Sequence, residues 1–288
     1  MKIIIPNIQV PILHNIAQCL ESIKVQTSLE PLLWNVAHKP ILDLFDETSP
    51  DILLLHISQL DSAFSMVCQE FKFRYILIGD QFPTNLPIQP DVLLTSPHVA
   101  STIKDCNAVG IRSAAKVAQI HNARYRDTMS SDILVNTNNV EITTEIFDLL
   151  CFLTEEYNTK IVGDSVVKLH HYLGQVNMFE RANFLKSSKV VLDLNGEDAW
   201  DASYLKIPSL CINPIADHFL TFNNVSTLRV QLEKLLKDES LRKTYIDTCY
   251  KHVCEGNTYY HIAAQIFHYL GEKHIAESLS YYIEELTS

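Results

Sequence analysis

Short uninterrupted apolar runs alternate along the chain with longer stretches whose apolar residues recur every three or four positions. In the first part the short runs are "IIIP" at 3–6, "ILLLH" at 52–56, "YILIG" at 75–79 and "VLL" at 92–94. Between them, "ILHNIAQCLESIKVQ" places Ile12, Ile16, Leu20 and Ile23 at helical spacing, and "SAFSMVCQEF" and "PHVASTIKDCN" also read as helices. "PLLWNV" reads as a further strand, "PILDLFDETS" as a short amphipathic helix, and "AVGIRSAA" as an edge strand. None of the apolar runs alternates between apolar and polar residues. Strands of that kind are buried on both faces, the mark of a parallel sheet covered by helices.

The pattern then starts again. "SDILVNT", "NTKIVGD", "KVVLDLNG" and "PSLCIN" read as strands, separated by the helical stretches "VEITTEIFDLLCFLTEEY" and "MFERANFLKSS". From "STLRVQLEKLL" to the end the chain reads as helix, broken near Asp238 and Gly271. The expected architecture is α/β: two Rossmann-like parallel-sheet lobes facing a cleft, with C-terminal helices returning to the first lobe. The expected bounds are 1–128 for the first lobe, 129–265 for the second and 266–288 for a closing helical segment.

Composition narrows this picture. The chain has 288 residues, and 47% of them are apolar, enough for a sizeable core. It shows no secretory leader and no long uncharged apolar run, so a soluble cytoplasmic protein without a membrane span is expected (host cytoplasm, if it is viral). Seven cysteines with no CxxC pair read as reduced thiols. The net charge of −11 is uneven: residues 1–128 carry 10 basic and 12 acidic side chains, and residues 129–288 carry 13 and 22. That balance argues against broad nucleic-acid binding. The exception is the stretch 104–126, where Lys104, Arg112, Lys116, Arg124 and Arg126 face only Asp105. Glycine is scarce at seven residues, so each one carries information.

Open parallel sheets bind ligands at the carboxyl ends of their strands. The segment "VVLDLNGEDAWDASYLKIPSLCIN" places Asn195, Gly196, Glu197, Asp198 and Asp201 between two strands. It reads either as a ligand site or as an acidic loop that solvates a strand end. No histidine, cysteine and aspartate cluster has metal-ligand spacing, and no Walker, GxSxG or GxGxxG motif occurs.

The run "KIVGD…YLGQVNMFERANFLKSSKVVLDLNG" resembles the donor-binding lobe of GT-B glycosyltransferases, in particular the spore-maturation (CgeB-type) proteins of the family 1 group. "LEKLLKDESLRKTYIDTCYKHVCEGNTYYHIAAQIF" is similar to the tail of the same family, and "YILIGD" is similar to phage DNA β-glucosyltransferases. The resemblance covers about residues 130–270. It implies a glycosyltransferase that moves sugar from a nucleotide sugar to an acceptor hydroxyl with no metal required. A hydroxymethylated DNA base is one candidate acceptor. A catalytically degenerate protein that binds a nucleotide or glycan without turnover is the alternative.

The same resemblance places the family's ribose-binding glutamate at Asp201 and its following glycine at Lys206, ahead of Pro208. Gly174, with the N–H groups of 176–179, would face the diphosphate, and Arg181 or Lys168 would add charge. Gly163 and Gly196 complete the expected donor site. Asp80, at the end of "YILIGD", is the candidate base, with His56 as its rival. A turn-forming aspartate before Pro83 is the plainer reading of Asp80.

Overall fold

The uninterrupted apolar strands lie side by side in two all-parallel sheets, as both-faces burial requires. The computed structural model describes residues 3–5, 10–23, 51–60, 64–79, 88–104, 106–111, 113–165 and 167–288. The expected elements at "PLLWNV" and "PILDLFDETS" lie outside these residues, as does Asp80.

The chain divides into unit 1, Met1–Arg112 with Tyr259–Ser288, and unit 2, Ser113–Thr258. In unit 1, β1 (Ile3–Ile4), α1 (Pro11–Ser22), β2 (Ile52–His56), α2 (Phe64–Glu70), β3 (Arg74–Ile78), β4 (Val92–Thr95), α3 (Pro97–Ala100) and β5 (Asn107–Gly110) follow in order. Their sheet runs β1-β2-β3-β4-β5, parallel throughout, with Leu53 opposite Tyr75 and Leu77 opposite Leu93. Proline at the first turn of α1 suits a position whose N–H has no intrahelical partner. On one side of the sheet Leu53, Leu55, Tyr75, Leu77 and Leu93 pack with Phe64 and Val67 of α2. The Phe64 and Tyr75 rings meet edge to face at 5.3 Å. The helix expected over 97–107 is confined to α3.

Unit 2 contains α4 (Val117–Ile120), β6 (Ser131–Asn136), α5 (Thr144–Glu156), β7 (Thr159–Val162), α6 (Met178–Ser187), β8 (Ser188–Asp193), α7 (Asp198–Tyr204), β9 (Ser209–Cys211), β10 (Leu220–Thr221), α8 (Val225–Lys237) and α9 (Glu239–Cys254). Its sheet order is β10-β9-β8-β6-β7. Neighbouring strand residues serve opposite faces. Ile133, Val135, Ile161, Val190 and Leu192 pack with leucines of α5 and α8. Leu134, Val162 and Val191 pack with Ile120 of α4, Ala182 and Leu185 of α6 and Ala202 of α7. The period of two therefore survives, with apolar residues needed on both sides.

Two helices close the chain, α10 (Tyr259–Tyr269) and α11 (Lys273–Thr287), and they belong to unit 1. α10 packs on α1 and β5. The turn after it is a Schellman closure: Glu272 N–H donates to Phe267 O (2.9 Å) and Gly271 N–H to His268 O (3.0 Å), with Gly271 at φ +78°. Arg74 of β3 fastens this turn, donating to Leu270 O at 2.8 Å and to the Glu272 carboxylate at 2.6 Å.

The division falls earlier than the expected 128/129, and the returning segment starts at 259 rather than 266. Residues 113–128 belong with the second sheet because Ile120 enters its core and Ala115 N–H bonds Asn257 O at 2.9 Å. Further along, Arg124 N–H donates to Asn183 Oδ1 and Arg126 N–H to Ser187 Oγ, both at 2.8 Å. The change in charge density near residue 128 is a surface property and marks no structural seam.

Phe267 of α10 is fully buried. Phe267→Ala should destabilise the protein by about 3–5 kcal/mol in urea unfolding. A loss below about 1 kcal/mol would mean that α10 contributes little to unit 1.

Candidate functional site

In unit 2 the connections leave the sheet in opposite directions from β6 and β8, which are neighbours although β7 lies between them in sequence. Such a reversal opens a crevice beyond the carboxyl ends of the two strands, the usual ligand position in an open α/β sheet. Three loops meet there, after β6, β7 and β8.

Polar side chains lace the loops together. At the end of β8 the Asp193 carboxylate accepts the N–H groups of Asn195 (3.1 Å), Gly196 (2.8 Å) and Ala199 (2.9 Å), folding the loop back over the strand. Asn195 Nδ2 donates to Asn138 O across the switch point at 3.0 Å, and its Oδ1 receives Glu197 N–H at 3.0 Å. Asn138 Oδ1 accepts Asp164 N–H at 2.8 Å, and Asp164 Oδ1 accepts Asn139 N–H at 3.0 Å. Gly163 sits at φ +139°, where a Cβ would lie 2.5 Å from Thr137 Oγ1 and 2.7 Å from Asn138 N. Only glycine lets the β6 and β7 loops come this close.

Behind the loops lies a buried charge cluster. Arg181 of α6 donates through Nη2 to Asp198 and, at 2.9 Å, to Asp201 Oδ2, both on α7. Asp201 Oδ1 accepts the backbone N–H of Lys116 at 2.8 Å. Lys116 Nζ in turn donates to the half-exposed Glu197 at 2.9 Å. Burial alone would lower the Arg181 pKa, but the two carboxylates outweigh it and hold the guanidinium firmly charged. Burial, and after it the charge of Asp198, pushes the Asp193 carboxyl up to about 6.

The residues expected from the sequence therefore occupy distinct places. Gly163, Gly174 and Gly196 all adopt positive φ in the loops of this edge, and Gly163 N–H bonds Gly174 O at 3.1 Å. A Cβ on Gly174 would meet nothing within 4 Å, and one on Gly196 only Ile215, at 3.8 Å. Lys168 is exposed in the loop after β7. Asp201 and Arg181 are not open to a ligand: they are 0% and 8% exposed and are engaged with each other. The α6 N-terminus is closed by a capping box in which Glu180 brings its own carboxylate to the first turn. His56, at the end of β2 in unit 1, receives Ser58 N–H on Nδ1 at 3.2 Å and lies 2.7 Å from Ser58 Oγ. Asp80 is outside the described residues.

Sequence reasoning passed over Asp193, Asn138 and the pairing of Lys116. Asp193 carries a readable signal, an aspartate at a strand end two residues before Asn-Gly. No group of three or more histidine, cysteine or acidic residues among the described residues is arranged to hold a metal. No helix among them is long and apolar enough to cross a membrane.

No family model matches this sequence, and no curated protein matches it. Solved structures do. Sucrose-phosphate synthase from Thermosynechococcus elongatus superposes with a TM-score of 0.62 at 9% identity, covering 96% of this chain and 100% of that one. UDP-GlcNAc 2-epimerase from Neisseria meningitidis bound to UDP-GlcNAc gives 0.59 at 12% identity, covering 93% and 100%. The spinosyn forosaminyltransferase SpnP gives 0.55 at 12%, covering 96% and 99%. The fold is GT-B. At such identities the likeness establishes the fold alone.

The raised Asp193 pKa has a consequence for stability. Its folded-state value lies above the unfolded one, so its contribution is fully present below about pH 4 and is lost as pH rises through about 6. Relative to Asp193→Asn, the native protein should lose about 2–3 kcal/mol between pH 4 and pH 6.5 in urea unfolding. Parallel pH profiles for the two proteins would show that Asp193 is ionised at little cost.

Proposed function

We propose that the chain binds a nucleotide sugar at the β6/β8 switch point of unit 2 and transfers the sugar to an acceptor hydroxyl. The observation that carries this reading is the convergence there of three loops, two of them glycine-bearing, tied by Asn138, Asn195 and Asp193 into one edge. Among the structural neighbours are a protein solved with UDP-GlcNAc bound and a forosaminyltransferase, which supports a nucleotide sugar as the ligand.

In this reading Gly174 and Gly196 let the backbone approach the nucleotide, Gly163 holds the loop pair closed, and Lys168 offers charge to the diphosphate. Arg181 and Asp201 serve as positioning residues behind α7. Transfer breaks the bond between the anomeric carbon and the diphosphate oxygen and forms one to the acceptor oxygen, whose proton goes to a base. Asp80 is the proposed base, with His56 as the second candidate. A hydroxymethylated DNA base is one acceptor this reading admits, in keeping with the "YILIGD" likeness. No metal is required by it.

A second reading, binding without turnover, is favoured by one observation: Asp201, at the position of the family's ribose ligand, has both oxygens occupied by protein donors.

The test is incubation of the full chain with UDP-GlcNAc and with UDP-glucose, following melting temperature, UDP release and the sugar's configuration. Stabilisation with UDP release, from hydrolysis or transfer, is the expected result. Stabilisation with neither UDP release nor a changed sugar would select the second reading. A C2-epimerised nucleotide sugar without UDP release would replace transfer by epimerisation. No stabilisation by either compound would overturn both readings.

A further inference from the structure

Lys206 stands out on backbone grounds. It sits at φ +60°, one of only two non-glycine residues among those described with positive φ. Side chains are strained there, and glycine would adopt the conformation freely. The lysine follows α7 directly, at the amino-terminal edge of the unit 2 sheet, opposite the switch point.

Its ammonium lies over the Tyr250 ring, 4.3 Å from the centroid. Beside it is a pocket of about 440 Å³ between the starts of β8 and β9 and the helices α8 and α9. Lys189, Lys206 and Arg242 line it together with Pro208, Leu236 and Ile246, and its lining holds no carboxylate. Arg242 donates from Nη1 to Leu235 O at 3.2 Å, which leaves further donors of its guanidinium. Lys189 is exposed and lies 2.7 Å from Asp132 Oδ1. A fourth cation, Lys186, donates to Leu205 O at 2.9 Å. Burial, and after it the charge of Lys206, lowers the Lys186 pKa, so the positive charges here are close enough to repel.

In a chain of net charge −11, a concave cluster of cations with no acid in its lining is a cost that a bound anion relieves. We propose that this pocket binds a phosphate-bearing small molecule, with Lys206 and Arg242 on the phosphate and Pro208, Leu236 and Ile246 against its carbon body. The concavity and apolar wall fit a small ligand better than a nucleic-acid backbone, which needs an extended strip. The site is independent of the nucleotide-sugar reading and lies at the other end of the sheet.

The experiment is calorimetric titration of the full chain with inorganic phosphate and with glycerol 3-phosphate, with a DNA duplex as comparison. Native protein, Lys206→Gly and Arg242→Gln are titrated in parallel. Both phosphates should bind the native protein, and each substitution should weaken them about tenfold or more, the loss of one charge-assisted contact. Glycerol 3-phosphate should bind more tightly than inorganic phosphate, because only it can use the apolar wall; equal binding would overturn the contact between that wall and a carbon body. Lys206→Gly should melt no lower than the native protein, because glycine relieves the strained φ; lost binding with a retained melting temperature therefore reports the site and not the fold. UDP binding should be unchanged in both variants. Undetectable phosphate binding, binding indifferent to both substitutions, or binding of the duplex alone would overturn the proposal.

Discussion

The guanidinium of Arg181, buried between Asp198 and Asp201, is the constraint around which unit 2 is arranged. It joins α6 to α7, and Asp201 in turn grips the backbone of Lys116, so three segments distant in sequence meet at one charge. Removing one partner from such a cluster typically costs about 3–5 kcal/mol, because the remaining charge is left buried and unpaired. α7 is thereby held in one place, and with it the Asn195–Glu197 loop that precedes it.

This arrangement decides which groups remain for a ligand. Asp201 is fully buried, with each oxygen engaged by a protein donor, and so lies out of reach of a ribose; the outward chemistry falls to the loop above it. There Asn195 and Asn138 cross the switch point, Gly196 exposes backbone, and Glu197 is balanced by Lys116. Asp193 supports that loop from below through three N–H donors and is itself hard to ionise at that depth. The acidic insert between β8 and β9 thus holds two kinds of group: inward carboxylates that fix α7, and outward amides and glycines that shape an edge.

Much of this was legible in the sequence. The apolar runs 52–56, 75–78, 92–94, 131–136 and 189–193 became strands because each needed cover on both faces, and Asp238 and Gly271 broke helices where they were expected to. Helix α7 was harder to see. "DAWDASY" is acidic enough to read as a solvated loop, and only its partner Arg181, 17 residues upstream of Asp198, reveals it as buried. The burial of Asp201 was hidden for the same reason, since sequence shows the charge but not the guanidinium that neutralises it. The boundary near residue 113 was invisible because the basic stretch 104–126 runs across it without a break in composition, and the segment 113–128 enters the second core through few residues, Ile120 among them. β10, only two residues long, leaves too short an apolar signature to stand out.

Whether the β6/β8 edge of unit 2 binds a nucleotide sugar, as proposed, is read most directly from backbone amide chemical shifts during titration with UDP. The amides of Gly163, Gly174, Asn195 and Gly196 should move together and saturate together. Saturable shifts confined to residues away from that edge, with these four unmoved, would contradict it.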